Sequence, residues 1–319
     1  MSAVGPNARP TDQGDVTQRD VAFARSAPAY GRWVSWIVVL TLAANGLWLV
    51  ATNPNFEWHV VLQWFTEGSV LKGLQVTLGL TVVSMVLGTL LGLLLAVWRL
   101  SENKLLSGVS ALYIWFFRGT PLLVQLIFWY NLSTLFPTLS ITVPWTDITF
   151  ASWNTNDLIT PLTAAIAGLA LNEAAYMAEI IRAGLLSVDH GQVETTQAFG
   201  MSRSRALRRI IIPQAMRAII PPTGNQLISM IKATSLVSVI AMGDLLYSVQ
   251  AVYNRTFEII PMLMVAVIWY LLITSILNVG QSAIERYYAR GSKRTVVVNK
   301  RRASSDTALA AAPRLKEDV

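Results

Sequence analysis

The feature that most limits how this chain can fold is a series of apolar runs poor in charge. They lie at about 33–52, 70–98, 108–136, 158–186, 222–250 and 260–283. At a rise of about 1.5 Å per residue, each is long enough to cross roughly 30 Å of hydrocarbon. The longer ones must tilt or protrude. Only 13% of the residues are charged, against about 25% in a soluble domain. Backbone groups inside a bilayer must bond within their own segment, so runs of this length are read as helices. The expected fold is an all-α integral membrane protein with six transmembrane helices.

The basic residues set the orientation. All of the 25 Lys and Arg residues except Lys72, Arg118, Lys232 and Arg255 fall before the first run, after the second, at the end of the fourth (Arg182) or after it, or after the last. These four positions share one side of the membrane, and Lys and Arg collect on the cytoplasmic side. Both termini are therefore expected in the cytoplasm, and the net charge of +7 reads as topology rather than nucleic-acid binding. The opposite links are aromatic, and Trp58, Trp64, Trp145 and Trp153 suit an interfacial belt. Residues 1–32 are polar, without the apolar core of a secretory signal. They read as a disordered cytoplasmic head, and 286–319 reads as a basic, disordered cytoplasmic tail that touches anionic lipid at most. Cysteine is absent and the two histidines, His59 and His190, are far apart. That excludes thiol chemistry and offers no metal cluster. Gly88 and Gly92 form a small-xxx-small pair suited to close helix packing.

One segment breaks the pattern. GQVETTQAFGMSRSRALRRIIIPQA, from Gly191 to Ala215, is polar and basic. Val193, Thr196, Gln197 and Gly200 fall three or four apart, giving one small-surfaced helix face. Gly200 can end that helix. Ser202 can cap a second helix over 203–212, with Arg205, Arg208 and Arg209 on one face. Pro213 should stop it. The segment reads as two short helices with a bend, or as a solvated basic loop.

The spacing Glu194-Thr195-Thr196, three residues, Gly200, nine residues, Ile210, one residue, Ile212-Pro213 resembles the EAA signature of ABC importer permeases. The two threonines stand where that signature has alanines, and Ile212 where it has leucine. WFFRGTPLLVQ at 115–125, NEAAYMAEIIRAGLLSVDHGQ at 172–192 and IKATSLVSVIAMGDLL at 231–246 look like the polar amino acid subfamily of these permeases. The likeness covers about 70–285 and makes 33–52 an extra N-terminal span. It implies a type I ABC importer permease fold. It also implies that the 187–215 loop is the coupling element gripped by a cytoplasmic ATPase, through Glu194, Thr195, Thr196, Gly200, Arg205, Ile210 and Pro213. The implied partners are ABC ATPase subunits, an extracytoplasmic amino-acid-binding protein, and a second permease copy or paralogue. Gly-Lys-Ser/Thr occurs nowhere in the chain, so it lacks a P-loop. ATP is then a cofactor of the partner, and the chain itself is not an enzyme.

Polar groups inside the runs cost roughly 2.5–3.5 kcal/mol each when charged, so each needs a partner, water or a use. Arg118 precedes Gly119 and Pro121, where a helix should bend. It could satisfy carbonyls freed there. Glu173 and Lys232 could clamp two helices, and Glu179 could pair with Arg182 one turn on. The functional alternative is a site for a zwitterion. Arg118 and Lys232 would meet a carboxylate, Glu173 an ammonium, and Asn172, Tyr176 and Ser235 would add neutral hydrogen bonds. A secondary transporter without an ATPase is the competing function, favoured by an internal repeat that the sequence does not display. A membrane enzyme would need a nucleophile or metal set, and none is convincing.

Overall fold

The computed structural model of the protein describes residues 30–143 and 149–289. The head before residue 30, the 144–148 stretch with Trp145, and the tail from 290 lie outside the described residues. The chain divides into two compact units, residues 1–56 and 57–319. The first contains α1, Tyr30–Thr52, an apolar helix with no buried residue within its unit.

The second unit is helical throughout, apart from one hairpin. Its long members are α3 (Gly68–Arg99), α8 (Pro161–Leu186), α11 (Ile212–Ala233) and α13 (Ile259–Ala289). Between them lie α2 (Trp58–Phe65), α4 (Lys104–Gly119), α5 (Leu122–Tyr130), α6 (Leu132–Leu135), α7 (Thr155–Leu158), α9 (His190–Ala198), α10 (Arg203–Ala206) and α12 (Leu245–Thr256). Among the described residues four helices, α1 included, are long and apolar enough to cross a membrane. The number rises to six when each of two bent pairs is counted as one span.

The bends revise two of the expected spans. Residues 108–136 are not one helix: α4 and α5 meet at 102°. Pro121 lacks an N–H and pushes the residue before it out of the helical region, and Thr120 sits at φ −116°, ψ 143°. The fifth run starts ten residues earlier than expected. The helix expected to end at Pro213 instead continues through a π turn, Leu207–Ile211, into α11. A proline ring clashes with the carbonyl four residues back. The wider π turn relieves this, and its Ile212 N–H reaches the Leu207 carbonyl. Beyond α11 a 3-10 stretch, Thr234–Ile240, ends at Ala241, which has φ +56°. The axis then bends by 46° into α12.

The core of this unit is built where α3 meets the later helices. Gly88 and Gly92 let the α3 backbone touch α8. A Cβ on Gly92 would lie 2.7 Å from the Met177 Cβ, 2.9 Å from the Ala174 carbonyl and 3.0 Å from the Ala178 nitrogen. Leu80 and Met85 of α3 pack with Leu126, Leu169, Met230 and Val237 in one cluster. Val70, Leu74, Leu245, Val249, Met262 and Val265 form another. Trp58 and Trp64 are half-buried against that second cluster, and the Trp269 indole stacks on Phe65 at 4.6 Å and donates to its carbonyl.

The link after α6 holds the one departure from helix among the described residues. Strands β1 (Thr138–Thr142) and β2 (Thr149–Asn154) pair antiparallel, with an irregular register at Ile141/Thr142. Between them they carry Thr, Ile, Phe and Trp, which favour extended backbone. Phe150 and Trp153 are exposed.

Candidate substrate path and coupling loop

The bend between α4 and α5 frees carbonyls at the end of α4. Arg118 does not satisfy them, as the sequence had suggested. Gln125, buried at 5% exposure, turns its Nε2 back across the break. It donates to the Phe117 carbonyl at 3.1 Å, the Thr120 carbonyl at 3.2 Å and the Thr120 hydroxyl at 2.7 Å. Asn172 of α8 donates from Nδ2 to the same Phe117 carbonyl at 3.1 Å and to Gln125 Oε1 at 3.2 Å. The Thr120 hydroxyl donates to the Phe116 carbonyl. Tyr113 donates to the Leu171 carbonyl at 2.9 Å, a second tie between α4 and α8.

Arg118 is thereby left free to point elsewhere. Its side chain is exposed, and its guanidinium carbon lies 5.4 Å from the centre of the Tyr176 ring. That is within range of a cation–π attraction. Tyr176 stands one turn beyond Asn172 on α8. The structure therefore brings Arg118, Asn172 and Tyr176 together at the bend.

Glu173 is separated from them. It is 4% exposed and packs on α3, where a Cβ on Gly88 would come within 2.8 Å of its Cβ. The expected clamp to Lys232 does not form. Gln226 of α11 instead places its Nε2 3.4 Å from both carboxylate oxygens, and Lys232 is exposed. Lys232 lies in the last turn of α11, where its carbonyl accepts from the Ser235 hydroxyl. The Glu179–Arg182 pair forms as expected, in fork geometry, with bonds of 2.7 and 3.1 Å.

The 187–215 segment adopts the expected bend, with different end points. Gly200 has φ +63°, a conformation that glycine tolerates. Ser202 takes the N-cap position of α10, but its side chain makes no capping bond. Between Ser187 and Ile212 only Thr196 and Ala206 are buried. Thr195 and Thr196 return their hydroxyls to the Gly191 and Val193 carbonyls. Glu194 is bonded to His190 at 2.9 Å. Arg205, Arg208 and Arg209 are exposed, as are Pro213 and, in part, Ile210.

Gln125, Gln226 and Phe199 escaped the sequence reading. Gln125 and Gln226 carry no charge, so the cost that singles out Arg118 or Glu173 never flagged them. Phe199 reads as one more apolar residue in the loop, yet it is 81% exposed at the tip of α9. A large aromatic so open on a polar loop is the signal that could have found it.

Residues 88–289 match the family described as binding-protein-dependent transport system inner membrane component. The chain is 44% identical over 278 residues, 86% of each chain, to the arginine transport system permease protein ArgU of Corynebacterium glutamicum. It is 38% identical over 239 residues to the probable amino-acid permease protein YxeN of Bacillus subtilis, covering 73% of this chain and 96% of that one. Among solved structures it resembles an amino acid ABC transporter crystallised with histidines. The TM-score is 0.58 and the identity 36%, over 69% of this chain and 94% of that one. The chain belongs to the family of inner membrane components of binding-protein-dependent transport systems, as the multi-pass permease subunit of an ABC importer.

Proposed function

We propose that this permease carries a polar amino acid into the cell and is driven through the 187–215 loop by a separate ATPase. The observation that carries the coupling half is the loop itself. Thr196 and Ala206 anchor two short helices that otherwise leave Phe199 and the arginines open. Phe199 is the apolar plug for a groove on the ATPase, and Arg205, Arg208 and Arg209 meet acidic groups on its rim. The loop runs without a break into α11, so a displacement of α10 is passed directly into the membrane core.

In this reading Arg118 holds the α-carboxylate of the cargo, with Tyr176 beside it. Asn172 is already committed to the bend and shapes the wall. Glu173 receives the ammonium group once α3, α8 and α11 part, and Lys232 and Ser235 line the end of the path. The 44% identity to an arginine permease makes arginine the first cargo to test. The subunit works as a two-fold dimer, with itself or a paralogue. Two ATPase subunits sit below, an extracytoplasmic binding protein delivers from above, and both termini lie in the cytoplasm.

The test is reconstitution of the permease with its ATPase and binding protein in liposomes, scanning arginine, lysine, glutamine and glutamate for stimulated ATP hydrolysis and uptake. Phe199→Cys should cross-link to the ATPase. A permease that transports with no ATPase attached would end this reading in favour of a secondary transporter.

A further inference from the structure

Gln125 does more than close a broken helix. Its amide lies at the junction of three segments. Nε2 holds the Phe117 and Thr120 carbonyls and the Thr120 hydroxyl at the end of α4. Oε1 receives the Asn172 amide from α8. Asn172 completes the ring by donating to the Phe117 carbonyl. Every hydrogen-bonding end of Gln125 is therefore used inside the protein, and at 5% exposure it is closed to a ligand. The residue directly after Phe117 is Arg118, whose guanidinium stands 5.4 Å over Tyr176, one helical turn from Asn172. The ring thus fixes the backbone that launches Arg118 relative to the helix that carries Tyr176.

We propose that Gln125 is a positioning residue: its amide locks the α4–α5 break to Asn172 and so holds Arg118 at the height and angle needed to take the cargo's carboxylate. This rests on the reading of Arg118 given above. The chemistry suits the task. A primary amide offers two donors and an acceptor at once, and a half-satisfied ring in a dry interior is worse than none. Glutamate would lose the donors, and leucine would lose both ends.

The experiment is a double-mutant cycle in the reconstituted transporter, reading arginine-stimulated ATP hydrolysis and uptake rate at saturating binding protein. The variants are Gln125→Leu, Arg118→Ala and the pair. Copurification with the ATPase confirms assembly of each. Gln125→Leu alone is expected to lower uptake about tenfold, as for loss of one or two buried hydrogen bonds. Added to Arg118→Ala, it should lower uptake no further, because its only effect runs through Arg118. Additive losses would overturn the proposal, since Gln125 would then act on the fold at large. If Arg118→Ala leaves uptake intact, the carboxylate assignment falls instead, whatever Gln125 does. Thr120→Val removes one acceptor from the same ring and is the second variant, used if Gln125→Leu does not assemble. It should show a smaller loss that also disappears in the Arg118→Ala background. A loss that persists there would count against the lock as directly as the first cycle.

Discussion

The contact between α3 and α8 allows a quantitative test, because two glycines on one helix meet opposite surroundings. A methyl on Gly92 would sit 2.7–3.0 Å from the Met177 Cβ, the Ala174 carbonyl and the Ala178 nitrogen. Two of those three atoms are backbone and cannot rotate aside, so α8 must move as a body. Gly79, more than three turns earlier on α3, has nothing within 4 Å of the same methyl. Replacing either glycine by alanine gains the same helix propensity, about 1 kcal/mol, so that gain cancels in the comparison. What remains is overpacking at Gly92, roughly 1–3 kcal/mol. At about 2–4 °C per kcal/mol for a unit of this size, a 2 kcal/mol gap separates the two variants by roughly 4–8 °C. Thermal unfolding of purified Gly92→Ala and Gly79→Ala in the same detergent, followed by tryptophan fluorescence, measures the gap. Gly79→Ala should melt at or above the parent and Gly92→Ala well below it. Coincident melting curves would mean that α3 and α8 do not pack backbone to backbone, and the core described here would be wrong.

Other substitutions follow the same logic. Gln226→Leu removes the hydrogen-bond partner of buried Glu173 and should cost about 1–3 kcal/mol by the same melting assay. Adding Glu173→Leu to it should recover part of that loss. Asp244 caps α12 by accepting from Leu246 and Tyr247 at 3.1 and 3.0 Å. Asp244→Ala should therefore lose about 1–2 kcal/mol, and Asp244→Asn much less. Glu179→Ala breaks an ion pair whose side chains are 25–32% exposed; a shift in melting of less than a few degrees is expected, since such pairs contribute about 0–1 kcal/mol. Phe199→Asp should leave the melting temperature unchanged, because the ring touches little, while abolishing copurification with the ATPase.

The helices and their order were legible because a bilayer imposes one strong rule on long apolar runs, and α3, α8 and α13 fall close to 70–98, 158–186 and 260–283. Gly88 and Gly92 were legible for a related reason, as small residues one turn apart have few uses in lipid other than close approach. The errors cluster at prolines. The bend at Pro121 follows from the sequence, but its size depends on how Gln125 and Asn172 donate to the freed carbonyls, which no local pattern encodes. Pro213 was read as a stop, and a π turn carried the helix past it. Charge matching works at the partly exposed Glu179–Arg182 pair but not for the clamp it offers between Glu173 and Lys232, since the fold meets that carboxylate with the neutral Gln226. Inside a dry core an amide can meet a carboxylate without burying a second ion, so pairing by charge alone misleads there.

The continuity of α10, the π turn and α11 gives the permease a single helical member that joins an exposed loop to the buried carboxylate of Glu173. From Ile212 to Gln226 the helix rises about 21 Å at 1.5 Å per residue. It crosses Pro221 and Pro222 on the way. Two missing N–H groups should make that stretch the weakest part of the rod. The last helix compensates: Gln281 of α13, itself buried, donates to the Pro221 carbonyl at 2.7 Å and to Glu285 at 2.9 Å. The Thr223 hydroxyl returns to the Ile219 carbonyl. A pull on the 187–215 loop would therefore meet a helix braced at its prolines, and the first side chain beyond the brace with a polar contact on α8 is Gln226, on Glu173. On the proposed mechanism, the movement that the ATPase imposes at Phe199 arrives at Glu173, a carboxylate that the closed helices keep from the cargo. Glu173 also lies against Gly88 of α3, so on that mechanism a shift of α11 would loosen its hydrogen bonds to Gln226. On that mechanism loop, brace and carboxylate form one mechanical line, and Asn172 and Tyr176, which meet the bent pair and Arg118, lie on a neighbouring face of α8.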